Sequence, residues 1–183
     1  MPLLFRGSAN KVSQKMLEAL YKFKDVKNRA IGFDVDETLL FWNENNDVTI
    51  NNNLKPIFDI GKRLGYKIFI ITARPYTING LKYMVNQLSG LGYDISIVPE
   101  GGMYMKPIEY QNDPHPGMFK LDARRHISYK YDVKFIAMFG DQWSDIFDNG
   151  TKPSSLRNFS GKEAYIYSTP DLVTALGVKL PEY

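Results

Sequence analysis

The chain has 183 residues, a formal net charge of +3 and no cysteine. Its length suits one well-buried domain spanning residues 1–183 and is too short for two domains of ordinary size. So small a charge gives no reason to expect nucleic-acid binding, and without cysteine neither a disulfide nor a thiolate zinc site can form. We find no membrane-length apolar run and no signal segment, so we expect a cytoplasmic protein with no membrane partner.

Helical and strand patterns alternate along the chain. Apolar spacing predicts helices over 13–27, 53–64, 77–88, 119–131, 143–149 and 170–176. Apolar and β-branched runs predict strands over 30–33, 67–71, 94–98, 133–139 and 164–167. This alternation predicts an α/β fold with a doubly wound parallel sheet, which binds its ligands at the carboxyl ends of the strands.

Two segments that depart from this alternation are candidates to cover a ligand. The Asn-rich turn 43–47 separates two short apolar runs, 40–42 and 48–50, and predicts a small hairpin flap. Segment 99–119 is rich in glycine, proline and aromatic residues. It is longer than most structureless connections, so we interpret it as a lid or binding loop.

Acidic residues follow the predicted strands. Asp34 and Asp36 come directly after the first strand, and residues two apart at a strand end point the same way, so we expect both carboxylates to face one spot. Two like charges are stable there only if a cation lies between them or one stays protonated. Asp141 follows the fourth strand, with Asp145 one helical turn further. The carboxyl edge of the sheet is therefore the predicted site.

Four acids would share a hard metal ion at this edge: Asp34, Asp36, Asp141 and Asp145. Carboxylate oxygens suit Mg²⁺ rather than zinc or copper, and Mg²⁺ shares its coordination shell with phosphate oxygens. Thr72, Arg74 and Lys120 would hold the oxygens of a transferred phosphoryl group. These residue types together predict hydrolysis of a phosphomonoester.

The hypothesis for the chemistry gives the first two acids different roles. Asp34 would attack phosphorus in line and form an aspartyl-phosphate, which splits hydrolysis into two easier steps. Asp36 would protonate the leaving oxygen and then activate the water that cleaves the acyl phosphate.

In this order, these residues resemble the four motifs of the haloacid dehalogenase superfamily. FDVDETLL (33–40) is similar to the first motif, IITARP (70–75) to the second, the lysine of MFKLDARRHI (118–127) to the third and FGDQWSDI (139–146) to the fourth. FDVDETLL, together with the spacing K-x-x-x-R-R (120–125) and GDQWSD (140–145), is similar to the acid phosphatase branch that includes class B acid phosphatases and plant vegetative storage proteins.

This resemblance implies a Rossmann-like core and a magnesium-dependent phosphomonoesterase. It implies these roles: Asp34 as nucleophile, Asp36 as acid and base, Thr72 and Lys120 as phosphate holders, and Asp141 as metal ligand. Between residues 36 and 72 no room is left for a cap domain, so at most a minimal cap covers the site. Lys106, Lys130 and Lys134 are rivals to Lys120 for the third motif.

A site without a cap domain is compatible with several classes of substrate and partner. It implies either a large substrate, such as a nucleic-acid end, or a small one covered by the lid or by a neighbouring subunit of a homodimer. Nucleoside monophosphates, a polynucleotide 3′-phosphate and small sugar phosphates all remain candidates. A storage or binding protein of the same fold without catalytic activity is a further alternative.

Other residues near the motifs have ordinary structural explanations. We expect the aromatic rings of Trp42 and Tyr104 to belong to the core rather than to stack on a substrate. Arg124 and Arg125 are expected to face solvent rather than phosphate, and His126 to lie on the surface of its helix.

Overall fold

The computed structural model describes residues 3–113, 116–147, 161–169 and 171–182. Across these ranges the chain forms an α/β fold with four α-helices, a seven-stranded sheet and a separate two-stranded hairpin. The helices are α1 (Ala9–Lys22), α2 (Lys55–Arg63), α3 (Ile78–Gly90) and α4 (Pro116–Tyr131). The strands are β1 (Leu3–Gly7), β2 (Arg29–Phe33), β3 (Leu40–Trp42), β4 (Val48–Ile50), β5 (Lys67–Pro75), β6 (Met103–Lys106), β7 (Lys134–Gly140), β8 (Ala164–Ser168) and β9 (Thr174–Lys179).

The central sheet is mostly parallel, with the strand order β1-β8-β9-β7-β2-β5-β6. The five strands from β9 to β6 are parallel to one another. Strand β8 runs antiparallel to both β1 and β9, so the prediction of a wholly parallel sheet is wrong at this edge. The connection between β8 and β9 is too short for a crossover, and a short connection joins antiparallel strands.

Helices cover both faces of the sheet. In β5, Ile68 and Ile70 pack in a cluster with side chains of α1, α2 and α3, whereas Phe69 and Ile71 pack with side chains of α4. This division follows from the alternation of side chains along a strand. Strands β2 and β7 are neighbours in the middle of the sheet, so the residues that follow them lie close together.

Most predicted elements are confirmed in type and approximate position: β2, the hairpin β3–β4, α2, β5, α3, α4, β7 and β8. The first helix begins earlier than predicted, because the hydroxyl of Ser8 accepts the backbone N–H of Lys11 and caps α1. Ser13 lies inside the helix, where its hydroxyl donates to the carbonyl of Asn53 at 2.6 Å. Strand β1 was not predicted.

The predicted strand 94–98 is wrong. Residues Ile95–Ile97 form a 3₁₀ helix instead, and the edge strand β6 lies within the segment predicted as a lid. A short apolar run does not by its pattern distinguish a strand from a buried helical turn. Two glycines permit the tight turn into β6: Gly101 has a φ of 73°, and a Cβ on Gly102 would lie 2.8 Å from the carbonyl oxygen of Pro99.

The predicted helix over 170–176 is also wrong, because β9 begins at Thr174. The side chain of Asp171 accepts the backbone N–H groups of Val173 and Thr174 and so forms the turn that leads into the strand. The described part of the predicted helix 143–149 is a 3₁₀ turn, Trp143–Asp145. The end of that helix lies outside the described residues. So does His115, which its surroundings DPHPG (113–117) predict to lie in an exposed loop.

The segment predicted as a lid is partly regular. Besides β6 it contains a 3₁₀ helix, Ile108–Tyr110, and the first residues of α4. Its covering role stays a prediction. In the part of the chain that is described, none of the helices combines the length and the apolar character needed to cross a bilayer.

Candidate functional site

Adjacent strands bring Asp34 and Asp141 to the same edge of the sheet. Phe33 is paired with Phe139, and the backbone N–H of Asp34 continues this ladder by donating to the carbonyl of Phe139 at 2.9 Å. Asp141 follows β7 by one residue. Both side chains are buried, with exposures of 5% for Asp34 and 6% for Asp141.

A 3₁₀ turn places Asp145 beside them. Oδ2 of Asp145 accepts the backbone N–H of Gln142 at 2.9 Å, and the side chain of Gln142 caps the same turn in return. Nε2 of Gln142 also donates to Oδ2 of Asp141 at 2.7 Å. One residue therefore orients two of the three acids, and Asp145 is fully buried.

Together, the three carboxylates could hold a metal ion. Asp34, Asp141 and Asp145 each offer one oxygen, and these oxygens lie within 4.8 Å of one another. Hard oxygen donors are the set that Mg²⁺ or Ca²⁺ prefers. Among the described residues, no hydrogen bond reaches Oδ2 of Asp34 or Oδ1 of Asp141, so one oxygen of each remains available to a cation.

Lys120 supplies the cation that contacts this acidic trio. It lies in the first turns of α4, is 3% exposed, and donates to Oδ1 of Asp34 at 2.8 Å and to Oδ1 of Asp145. The rivals Lys130 and Lys134 are exposed instead. One ammonium group cannot balance three buried carboxylates, so the cluster favours additional positive charge or bound protons.

The pKa values of the acids reflect this shortage of positive charge. Burial raises the pKa of Asp34 to about 8, assisted by the charges of Asp145 and Asp141 and opposed by Lys120. Burial and the charge of Asp145 raise the pKa of Asp141 to about 6. Burial acts to lower the pKa of Lys120, but the charges of Asp145 and Asp34 outweigh it and raise that pKa.

Asp36 is not a member of the acidic trio. Arg74 grips its carboxylate with two hydrogen bonds, Nε to Oδ2 at 2.9 Å and Nη2 to Oδ1 at 2.7 Å. The indole N–H of Trp42, from the hairpin, donates to Oδ1 at 2.7 Å. Burial acts to raise the pKa of Asp36, but the hydrogen bonds from Arg74 and Trp42, with the charges of Arg74 and Lys120, lower it overall.

Thr72 is buried in β5, three residues before the strand ends at Pro75, and its hydroxyl accepts the backbone N–H of Arg74 at 3.2 Å. Arg74 also donates from Nη1 to the side-chain oxygen of Gln87 at 2.7 Å. Within the described ranges no hydrogen bond joins Thr72 to the acidic trio. The structure therefore forms two groups, the trio with Lys120, and Asp36 with Arg74.

The expectation that Arg124 faces solvent is wrong. Arg124 is 1% exposed, donates from Nη1 to the carbonyl of Asp145 at 2.9 Å and forms an ion pair with Asp171 at 3.2 Å. Its position four residues after Lys120 puts both side chains on one face of α4, which is the signal that the sequence offered. Arg125 and His126 are exposed, as expected.

Sequence reasoning also missed Lys179. It is fully buried in β9 opposite Gly140, and its ammonium lies 5.1 Å from the ring centre of Trp143. Its charge acts on the pKa of Asp141, so it adds positive potential beside the trio. Nothing in the pattern of β9 distinguishes this lysine from a surface lysine at a strand end.

The core interpretation of Trp42 is wrong as well. Trp42 is 37% exposed and its ring lies 5.8 Å from the guanidinium carbon of Arg74. Tyr104 is half-buried and packs against Phe119 and His126.

No protein-family model matches the chain, and no curated protein matches it significantly. The chemistry of the site therefore rests on its own residues.

Proposed function

We propose that the chain is a Mg²⁺-dependent phosphomonoester hydrolase of the haloacid dehalogenase type, acting on small phosphomonoesters through an aspartyl-phosphate on Asp34. The observation that carries the proposal is the buried cluster of Asp34, Asp141 and Asp145, in which Asp34 and Asp145 also contact Lys120. Burying three like charges is costly, and a stable protein does so where cations and an anionic substrate use them.

Asp34, Asp141 and Asp145 would hold the ion. When bound, Mg²⁺ would offset the charge of these carboxylates and of the phosphate oxygens, which lets an anionic nucleophile approach an anionic ester. The fit to Mg²⁺ rests on a donor set made only of carboxylate oxygens and on the spacing of these oxygens.

The first half-reaction would use the two groups of the site together. An oxygen of Asp34 attacks phosphorus, the bond from phosphorus to the leaving oxygen breaks, and Asp36 gives its proton to that oxygen. Lys120 lies against Asp34, so its ammonium is placed to hold the phosphoryl oxygens during transfer.

The second half-reaction would return the enzyme to its starting state. Asp36, now a carboxylate, takes a proton from water as the water oxygen attacks phosphorus, and the acyl-phosphate bond to Asp34 breaks. Arg74 already holds both oxygens of Asp36, which keeps this carboxylate ordered between the two steps. Products are the alcohol and inorganic phosphate.

The test is hydrolysis of p-nitrophenyl phosphate with Mg²⁺ and then with EDTA. We expect turnover that EDTA abolishes and that Asp34→Asn reduces by at least about 10³-fold, as expected when a nucleophile is lost. Asp25→Asn, at an exposed carboxylate, is the matched control and should retain full activity. Wild-type activity in Asp34→Asn would refute the nucleophile assignment, and absence of Mg²⁺-dependent turnover on any phosphomonoester would refute the proposal.

A further inference from the structure

Lys179 is a buried cation that no step of the proposed reaction uses. It is the last residue of β9 and is fully buried. Its ammonium donates to the carbonyl of Leu180 at 2.8 Å and forms an ion pair with Glu182 at 3.2 Å. A lysine is almost never fully buried without compensating charge. The side chain of Glu182 is 43% exposed, so this pair compensates the burial of the lysine only in part.

The register of the sheet places Lys179 on the same side as Asp145. Lys179 is paired with Gly140 in the neighbouring strand β7, so the two positions are roughly 5 Å apart and direct their side chains to the same face of the sheet. A Cβ on Gly140 would overlap the carboxylate of Asp145, which fills the space above this glycine. The side chain of Lys179 therefore leaves β9 on the face where the acidic trio is completed.

Aromatic rings lie against the ammonium of Lys179. The ring centre of Trp143, in the 3₁₀ turn that carries Asp145, is 5.1 Å away, within the range of a cation–π interaction. Trp143 packs in turn against the rings of Tyr165 and Tyr167, which are both fully buried. These rings exclude water from one side of the ammonium, so its charge is screened less than that of a surface lysine.

The charge of Lys179 and the charges of the trio act on each other. Burial lowers the pKa of Lys179, and the charges of Glu182, Asp141 and Asp145 oppose this effect. Burial raises the pKa of Asp141, and the charge of Lys179 is among the effects that oppose it. A cation close enough for these effects also repels a metal ion bound to the trio and attracts an anion bound beside it.

We propose that Lys179 is a positioning residue that sets how the site divides its affinity between Mg²⁺ and the phosphate group. Its charge weakens the binding of the ion and strengthens the binding of the anion, which three carboxylates would otherwise repel. Glu182 opposes this effect, because it offsets part of the charge of Lys179 from the solvent side. The inference rests on the proposed function, which names the ion and the anion.

The first measurement is the dissociation constant of Mg²⁺, obtained by titration calorimetry on the metal-free protein. We expect Lys179→Met to bind Mg²⁺ about three- to tenfold more tightly than the wild type, because a nearby charge of the same sign is removed. Lys179→Arg keeps the charge and should restore the wild-type affinity. Lys134→Met is the matched control, since it removes an exposed lysine at the opposite end of β7, roughly 20 Å away.

Binding of inorganic phosphate in saturating Mg²⁺ is the second measurement and should change in the opposite direction. Lys179→Met should bind phosphate about two- to threefold more weakly than the wild type. If Lys179 only supported the packing of the 3₁₀ turn, its replacement would weaken the binding of both ligands. Opposite changes in the two affinities therefore distinguish the charge of Lys179 from its packing.

Glu182→Gln tests the same proposal without replacing a buried residue. It removes the ion-pair partner of Lys179, so it should weaken Mg²⁺ binding and strengthen phosphate binding. We expect changes of about twofold, because the carboxylate of Glu182 is partly exposed to solvent. This variant keeps the proposal testable if Lys179→Met does not fold.

The outcomes separate this proposal from the proposed function. Unchanged or weaker Mg²⁺ binding in folded Lys179→Met, or unchanged Mg²⁺ binding in Glu182→Gln, would overturn the role of Lys179 and leave the hydrolase intact. A wild-type protein that binds no Mg²⁺ would overturn the metal-dependent hydrolase and, with it, this role.

Discussion

Gly140 lies directly against the carboxylate of Asp145. A Cβ built on Gly140 would lie 2.1 Å from Oδ2 of Asp145, well inside van der Waals contact. Asp145 is fully buried and is fixed by Gln142 and Lys120, so it has no room to withdraw. Glycine at position 140 is therefore what permits the end of β7 to approach the acid that completes the trio.

The substitution Gly140→Ala should displace Asp145 and weaken cation binding. We expect a loss of about 1–3 kcal/mol in the free energy of unfolding, the usual cost of overpacking a dense site. We also expect a smaller rise in the melting temperature when Mg²⁺ is added. Gly90→Ala is the control, because a Cβ there meets nothing within 4 Å. Equal Mg²⁺-induced stabilisation in Gly140→Ala and in the wild type would contradict this account.

Arg124 should contribute to stability through Asp171. Replacing Arg124 by Leu leaves the carboxylate of Asp171, whose side chain is 8% exposed, without its ion-pair partner. Breaking one side of a buried pair costs about 3–5 kcal/mol, which chemical denaturation can measure. Arg125→Leu, at the exposed neighbour, should change the free energy of unfolding by less than about 0.5 kcal/mol.

A double variant tests whether the pair itself is responsible. If Arg124→Leu destabilises the protein by leaving Asp171 without an ion-pair partner, adding Asp171→Asn should recover part of the lost stability. Strictly additive losses would show that the effect comes from the packing of Arg124 or from its hydrogen bond to Asp145.

Local patterns predicted the centre of this fold better than its edges. The apolar run before Asp34 and the Asn-rich turn 43–47 depend on neighbouring residues alone, and the structure forms β2 and the hairpin there. In contrast, β9 and β6 are strands because they pair with β7 and β5, which a short apolar run does not reveal. Strand pairing between distant segments is a tertiary effect that overrides local preference.

The site shows the same limit. The positions of Asp34 and Asp141, each directly after a predicted strand, indicated that the two acids would meet, because parallel strands end at a common edge of the sheet. The spacing of two between Asp34 and Asp36 did not predict their separate environments. The chain leaves the strand after Phe33, and Arg74 and Trp42 hold Asp36 with hydrogen bonds that depend on the folded hairpin.

The hydrogen bond from Trp42 to Asp36 should affect the pH dependence of catalysis. In the proposed reaction Asp36 must carry a proton. Because Arg74 and Trp42 lower the pKa of Asp36 below its ordinary 3.8, activity on esters with poor leaving groups should be highest at acid pH and fall as the pH rises. Trp42→Phe removes a hydrogen-bond donor that stabilises the carboxylate form of Asp36, so the pKa of Asp36 should rise. The alkaline limb of the pH profile of kcat/KM should then move to higher pH. Thr49→Ala, at an exposed hairpin residue, is the control. If the alkaline limb lies at the same pH in Trp42→Phe and in the control, Asp36 is not the general acid of the reaction.

The acidic trio should make the metal-free protein less stable as pH rises. The pKa of Asp141 is raised from its ordinary 3.8 to about 6, and that of Asp34 from 3.8 to about 8. Between the ordinary and the raised values, the folded chain binds more protons than the unfolded chain. The free energy of unfolding therefore decreases with pH, from about pH 4 to pH 6 through Asp141 and on to about pH 8 through Asp34.

A bound cation should reverse this dependence, because it replaces the protons that relieve repulsion among the carboxylates. We expect Mg²⁺ to raise the melting temperature more at pH 8 than at pH 5, measured by thermal denaturation with and without EDTA. In Asp141→Asn the metal-free protein should lose less stability between pH 4 and pH 6 than in Asp25→Asn, since the neutral amide needs no proton. A Mg²⁺-induced shift of equal size at both pH values would mean that the ion does not compete with protons for Asp34 and Asp141.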